Sequence, residues 1–270
     1  MDFRGRLPGW VDRWGPAALR KRELEIGPRA FAQGYRMRPY ASEELAFPHF
    51  ERALELGLRE SIPEPLPRDW VRFVGVDLSS AKRPGNVAFA AAVDAHGVRR
   101  PLDVVRIKGS SPAVARAIGG VVERWRPQAV VVENNGYQAA LEEWVRELGG
   151  RFPWWPLIVP FLTGSNKADP VLGLPGLDVE FANGAWVVPR ELNPRANGHP
   201  LYCECGPCVW VAETLAYPHG RATDTVMAMW FCREGIRGWL ESAASRGEDE
   251  LVAPRRRGEF FDGIPEDEIA

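Results

Sequence analysis

Between residues 71 and 93 two apolar runs flank a single acid. Val71, Phe73, Val74 and Val76 lead up to Asp77, and Val87, Ala88, Phe89, Ala90 and Val93 resume the pattern. The runs predict two strands joined by a turn that holds Pro84, Gly85 and Asn86. A third apolar run over residues 99–107 completes an antiparallel meander. "SPAVARAIGGVVERW" switches to helical periodicity, with Ser111 placed as its N-cap. "QAVVVE" is short and wholly apolar, the mark of a strand covered on both faces in a parallel sheet. "YQAALEEWVRELGG" predicts an amphipathic helix closed by glycine, and "PLIVPF" another buried strand. "VEFANGAWVVP" reads as a hairpin around Asn183-Gly184, and a last helix opens near "ATDTVMAMWFCREGIRGWL".

The flanks differ in kind. Residues 1–70 are helical and irregular, with "PAALRKRELE" and "PRAFAQGYRM" as two short helices about Gly27 and "SIPEPLPRD" as a proline-rich linker. Residues 71–240 carry the α/β pattern. Residues 241–270, polar and charged, read as a disordered tail.

Meander, helix, strand, helix, strand and helix in succession predict one mixed sheet. A right-handed crossover brings the fourth strand beside the first, giving the order 3-2-1-4-5 with helices on its flanks. The chain reverses direction between strands one and four. Open α/β sheets bind ligands at such a point, beyond the carboxyl ends of the strands. Three acids fall there: Asp77 ends strand one, Glu133 ends strand four in "VVVENNG", and Asp224 opens the last helix in "GRATDTVMAMW". Each alone has a plainer role, as a turn residue, a surface ion-pair member or an acid answering a helix dipole. Together, like charges raise one another's pKa, and divalent cations relieve the repulsion. Two such ions roughly 3.5–4 Å apart make a phosphodiester-cleaving centre.

These residues also carry a resemblance. "VGVDLSS…GN", "VVVENNG", "FLTGSNKADPVLGLPGLDVEFANGAWVVP" and "ETLAYPHGRATDTVMAMWF" resemble the ribonuclease H-like nuclease domain of the large terminase subunit of tailed phages. Upstream, "WGPAALRKRELEIGPRAFAQGYRMRPY" and "FPHF" are similar to the segment that precedes that domain, so the resemblance spans most of residues 10–240. It implies a ribonuclease H-like fold and a metal-dependent endonuclease that cuts double-stranded DNA during genome packaging. Asp77, Glu133 and Asp224 would then hold two magnesium or manganese ions. One ion would activate water for in-line attack and the other would stabilise the leaving 3′ oxygen. Two departures stand out. Thr223 precedes Asp224 where many terminases have a second acid, and no GxxxxGK[ST] phosphate loop occurs in these 270 residues. The packaging ATPase is therefore expected as a separate or missing partner, beside a portal and a small terminase subunit. A Holliday-junction-resolvase-like nuclease and a non-catalytic docking module of a packaging motor stay open as alternatives.

"GHPLYCECGPC" places His199, Cys203, Cys205 and Cys208 within ten residues, a set that reads either as a structural zinc knuckle or as a loop of free thiols. Lys82 and Arg83 in the first hairpin turn and Lys167 in "TGSNKADP" are candidate phosphate contacts at the crevice mouth. Ser79 and Asn134, each close behind an acid in sequence, are candidates to orient the carboxylates. Trp154, Trp155 and Cys232 are read as packing residues.

Composition narrows little beyond this. A net charge of −2 neither demands nor excludes a polyanionic partner, and the 34 basic residues include only four lysines. No apolar run reaches membrane-spanning length, and "MDFRGRLPGWVDRWG" lacks the apolar centre of a signal peptide. The expected setting is the cytoplasm of a phage-infected or lysogenic bacterial host.

Overall fold

Strand β1, Val71–Asp77, is buried on both faces and lies in the middle of the sheet. β2 (Asn86–Val93) runs antiparallel beside it and β3 (Arg99–Ile107) antiparallel beside β2. β4 (Ala129–Glu133) and β5 (Ile158–Phe161) follow on the other side, each parallel to its neighbour. The order is β3-β2-β1-β4-β5, the five-stranded mixed sheet flanked by helices that the sequence predicts. This is a computed structural model that describes residues 21, 45–78, 85–109, 111–133, 154–169, 173–200, 203–219 and 222–244. The chain divides between Ala46 and Phe47, and nearly all described residues belong to the unit that begins at Phe47. Apart from Lys21, the helices predicted over residues 16–37 and 137–150, and the tail beyond residue 244, lie outside the described residues.

Alternation along the strands decides what each face meets. Val74 and Val76 of β1, Ala88, Ala90 and Ala92 of β2, and Val130 and Val132 of β4 form one apolar cluster. Helix α2 (Ser111–Trp125) covers it with Val114, Ile118, Val121 and Val122, spaced as one helical stripe. Phe73, Gly75 and Phe89 point to the opposite face. There α5 (Asp224–Ala244) lies across β1, β2 and β4. The approach is close: a Cβ on Gly75 would lie 2.1 Å from Ala228 O and 2.3 Å from Cys232 N. Gly75→Ala is therefore expected to lower stability in urea unfolding by about 2–3 kcal/mol, because backbone must move to admit the methyl. A loss under about 1 kcal/mol would mean that α5 is not seated so tightly.

Three more helices join α5 on this face: α1 (Phe50–Leu56), α3 (Leu174–Ala182) and α4 (Gly206–Ala216). Phe50 meets Phe181 and Trp210 edge-on, and Phe89 meets Trp210 with ring centroids 5.1 Å apart. A charged chain ties the layer together. Glu180 of α3 accepts from Arg233 Nε of α5 at 2.8 Å and from Trp186 Nε1 at 2.7 Å, and Arg99 of β3 lies 3.4 Å away. Arg233 is nearly inaccessible and also donates to Glu234, so losing Glu180 would remove one of the two carboxylates that balance a buried charge. Among the described residues no helix is long and apolar enough to cross a membrane.

One predicted element is corrected. Asn183-Gly184 does not turn a hairpin; it ends helix α3, with Gly184 at φ +72°. Leu174, Leu177 and Phe181 are all buried and follow the i, i+3, i+7 spacing of a helix, and Pro175 sits in the first turn where it costs no hydrogen bond. Asn-Gly serves a helix C-terminus as well as a hairpin, and burial of that stripe decided between them. In place of a second strand, Trp186 forms an isolated bridge to Arg99.

Candidate active site

The register of the parallel pair sets the first two acids level. Val76 of β1 pairs with Val132 of β4, so Asp77 and Glu133 emerge side by side at the carboxyl ends of their strands. Strand alternation then directs both to the α5 face, since Asp77 shares parity with Gly75, and Glu133 with Val131, which faces Gly235 of α5. Asp224 arrives from above as the first residue of α5. Gly85, just before β2, passes so close to it that a Cβ there would lie 1.9 Å from Asp224 Oδ2. Any larger residue at 85 would push that carboxylate aside.

A fourth carboxylate joins them. Glu213, two turns into α4, accepts hydrogen bonds from the Thr225 amide at 3.1 Å and the Thr225 hydroxyl at 2.5 Å. It thereby touches the residue that follows Asp224. The Thr163 hydroxyl donates to Glu133 Oε1 at 2.5 Å and fixes that side chain from the loop after β5.

Asp77 is 9% exposed and its carboxyl is pushed up to about 8. Burial is the largest cause, followed by the charges of Asp224 and Glu133, with Glu213 adding a smaller push. Lys167, in the short turn Ser165–Ala168 after β5, opposes them. Near neutral pH, Asp77 therefore holds its proton, because burial and its acidic neighbours both disfavour the charge. The carboxylate oxygens of Asp77, Glu133 and Asp224 suit a magnesium- or manganese-like cation, which would take over the proton's role. The donor set fits such ions.

Asp77, Glu133, Asp224 and Lys167 are thus brought within electrostatic reach of one another, while Ser79, Lys82, Arg83 and Asn134 lie outside the described residues. Glu213 was missed by sequence reasoning. "CVWVAETLAYP" gives an apolar run with one acid, an unremarkable pattern, and only the packing of α4 against α5 carries that acid to the site. His199, Cys203, Cys205 and Cys208 form a second group, compatible with a structural metal, whose four donor atoms all lie within 4.8 Å of one another. Trp154 and Cys232 are buried, as their reading as packing residues predicts; the Trp155 side chain lies outside the described residues.

No family model and no curated protein matches the chain. Among solved structures it is similar to the large terminase nuclease from thermophilic phage G20c with bound magnesium, at 15% identity and a TM-score of 0.46, over 70% of this chain and 95% of that one. It is similar also to the yeast mitochondrial Holliday junction resolvase Ydc2, at 10% identity and a TM-score of 0.37, over 73% and 96%. For Thermus thermophilus RuvC the values are 16%, 0.29, 61% and 92%.

Proposed function

We propose that this protein is a divalent-metal-dependent endonuclease that cuts double-stranded DNA during phage genome packaging, working with a packaging ATPase, a portal and a small terminase subunit. The observation that carries it is the convergence of Asp77, Glu133, Asp224 and Glu213 from four elements onto the reversal point of the sheet, with Asp77 pushed up to about 8. A fold does not leave a carboxyl buried among like charges without cost. The arrangement is stable with cations bound and strained without them.

Asp77, Glu133 and Asp224 would hold two magnesium or manganese ions. Such ions, when bound, supply the charge that activates water and stabilises the departing oxygen of a phosphodiester. The chain's own side chains do the positioning. Thr163 holds Glu133 in one orientation, Gly85 leaves room for Asp224, and Glu213 anchors the start of α5 through Thr225. Lys167 would offer its ammonium to a DNA phosphate beside the acids.

The test is incubation of the purified protein with supercoiled plasmid in manganese, magnesium or EDTA. Nicking and linearisation are expected with either metal and not with EDTA. Absence of cutting under all metal conditions, alone and with the motor ATPase added, would refute the proposal. Strong preference for four-way junctions over linear duplex would move it to a resolvase. Glu213→Gln should weaken manganese binding and slow cutting by about 10- to 100-fold, the usual loss for an outer-shell residue. A manganese titration followed by electron paramagnetic resonance reads the affinity directly, and unchanged affinity would remove Glu213 from the site.

A further inference from the structure

We propose that His199, Cys203, Cys205 and Cys208 bind one zinc ion as a closed tetrahedral site, and that this ion is a staple that ties the loop before helix α4 to the start of that helix, where it packs on strand β3. His199 Nδ1 lies 3.4 Å from Cys203 Sγ, 3.3 Å from Cys205 Sγ and 3.5 Å from Cys208 Sγ. One imidazole nitrogen has a single lone pair or a single N–H, so it cannot serve three thiols at once by hydrogen bonding. Three short contacts on one nitrogen are instead the pattern of ligands gathered about a common centre. With Zn–S of about 2.3 Å and Zn–N of about 2.0–2.1 Å, a tetrahedron places nitrogen and sulfur about 3.5 Å apart. The observed edges agree with that figure.

The donor set selects the metal. Three thiolates and an imidazole are soft ligands, poor for magnesium or manganese and suited to zinc. Four protein ligands leave no open position for water, so the site is structural and not catalytic. The turn is built for it: the Asn197 side chain accepts from the His199 amide at 2.9 Å, and Gly198 takes φ +71°.

Position in the fold gives the staple its consequence. Cys205 is the N-cap of α4 and Cys208 stands in its first turn, so two ligands belong to the start of that helix. Gly206 packs on β3 so closely that a Cβ would lie 1.7 Å from Val104 O, and Arg106 Nη1 donates to Glu204 O at 3.2 Å. Binding zinc would tie this end of α4 to the loop before it, where both meet β3. Glu213 lies five residues beyond Cys208 on the same helix, so its reach to Thr225 depends on that anchorage. The importance of Glu213 for cutting rests on the function proposed above; the zinc and the staple do not.

The full-length protein, purified without chelators, is expected to carry about one zinc per chain by elemental analysis. Replacing zinc with cobalt(II) should produce the thiolate charge-transfer and tetrahedral d–d absorption bands of a sulfur-rich site. His199→Cys should keep the metal, because four thiolates also form a zinc site, whereas Cys205→Ser should lose it. If Cys205→Ser does not fold, zinc withdrawal from the wild-type protein by a chelator replaces it. Hydrogen exchange should then rise in residues 206–216 and stay unchanged in β1, β2 and β4. A metal-free native protein whose Cys203, Cys205 and Cys208 react freely with a thiol reagent would overturn the site, as would iron in place of zinc. Unchanged exchange in α4 after zinc loss would overturn the staple. Neither readout involves cutting, so a zinc-bound protein that leaves DNA intact would refute the nuclease alone.

Discussion

Asp77→Asn is expected to abolish manganese-dependent nicking while leaving the protein folded. Asp77 stands at the centre of the cluster, coupled to Asp224, Glu133, Lys167 and Glu213. An amide there keeps the shape and removes the charge that a cation needs. Loss of an outer partner of a metal site typically costs about 10- to 100-fold, so loss of a central ligand should exceed 100-fold. Asp224→Asn should behave alike, because it contributes the largest like-charge effect on Asp77. Quantifying nicked plasmid against time, with circular dichroism as the check on folding, tests both. Cutting at the wild-type rate by either variant would sink the assigned site.

The second large effect is on stability without metal. The Asp77 carboxyl is pushed up to about 8 in the folded protein from an ordinary value of 3.8. Between those values the folded chain holds a proton that the unfolded chain has released. Stability is therefore fully present below pH 4 as far as this group is concerned, and it falls as pH rises toward 8. The slope is at most about 1.4 kcal/mol per pH unit, and the whole window is worth on the order of 5 kcal/mol. In EDTA, urea unfolding at pH 5, 6.5 and 8 should give progressively lower stability. Asp77→Asn should flatten that fall and be more stable than wild type at pH 8. Excess manganese should raise the wild-type value at pH 8, since an ion that binds only the folded state stabilises it by mass action. A level profile for metal-free wild type would contradict the cluster's electrostatics.

The strands and the two acids that end them were legible in the sequence because both signals are local. Val71–Val76 is apolar but for Arg72, and Ala129–Val132 is apolar throughout; such runs mark strands covered on both faces, and an acid directly after one lies at its carboxyl end. Strand order followed from element order, since crossover rules leave few ways to join a meander to two further strands. The spacing of His199, Cys203, Cys205 and Cys208 was likewise local, although the sequence left a zinc knuckle and a thiol loop equally open. Only the folded chain brings one imidazole nitrogen within 3.3–3.5 Å of three sulfurs.

Other features had no local signal. Asn183-Gly184 suits a hairpin and a helix end alike, and the choice fell to the burial of Leu174, Leu177 and Phe181. Phe50 enters the core through Phe181 and Trp210, more than a hundred residues away, contacts that no sequence window spans. Glu213 is the clearest case. Nothing within α4 distinguishes it from a solvated acid, and it becomes part of the site only because α4 packs on α5 and turns it toward Thr225. The sequence by itself determined the five strands of the sheet and where Asp77, Glu133 and Asp224 end or begin their elements, because periodicity and short-range sterics act over a few residues. The tertiary structure alone decided how many carboxylates share the site and how strongly they repel, because charge coupling depends on distance through a buried, weakly screening interior and not on separation along the chain.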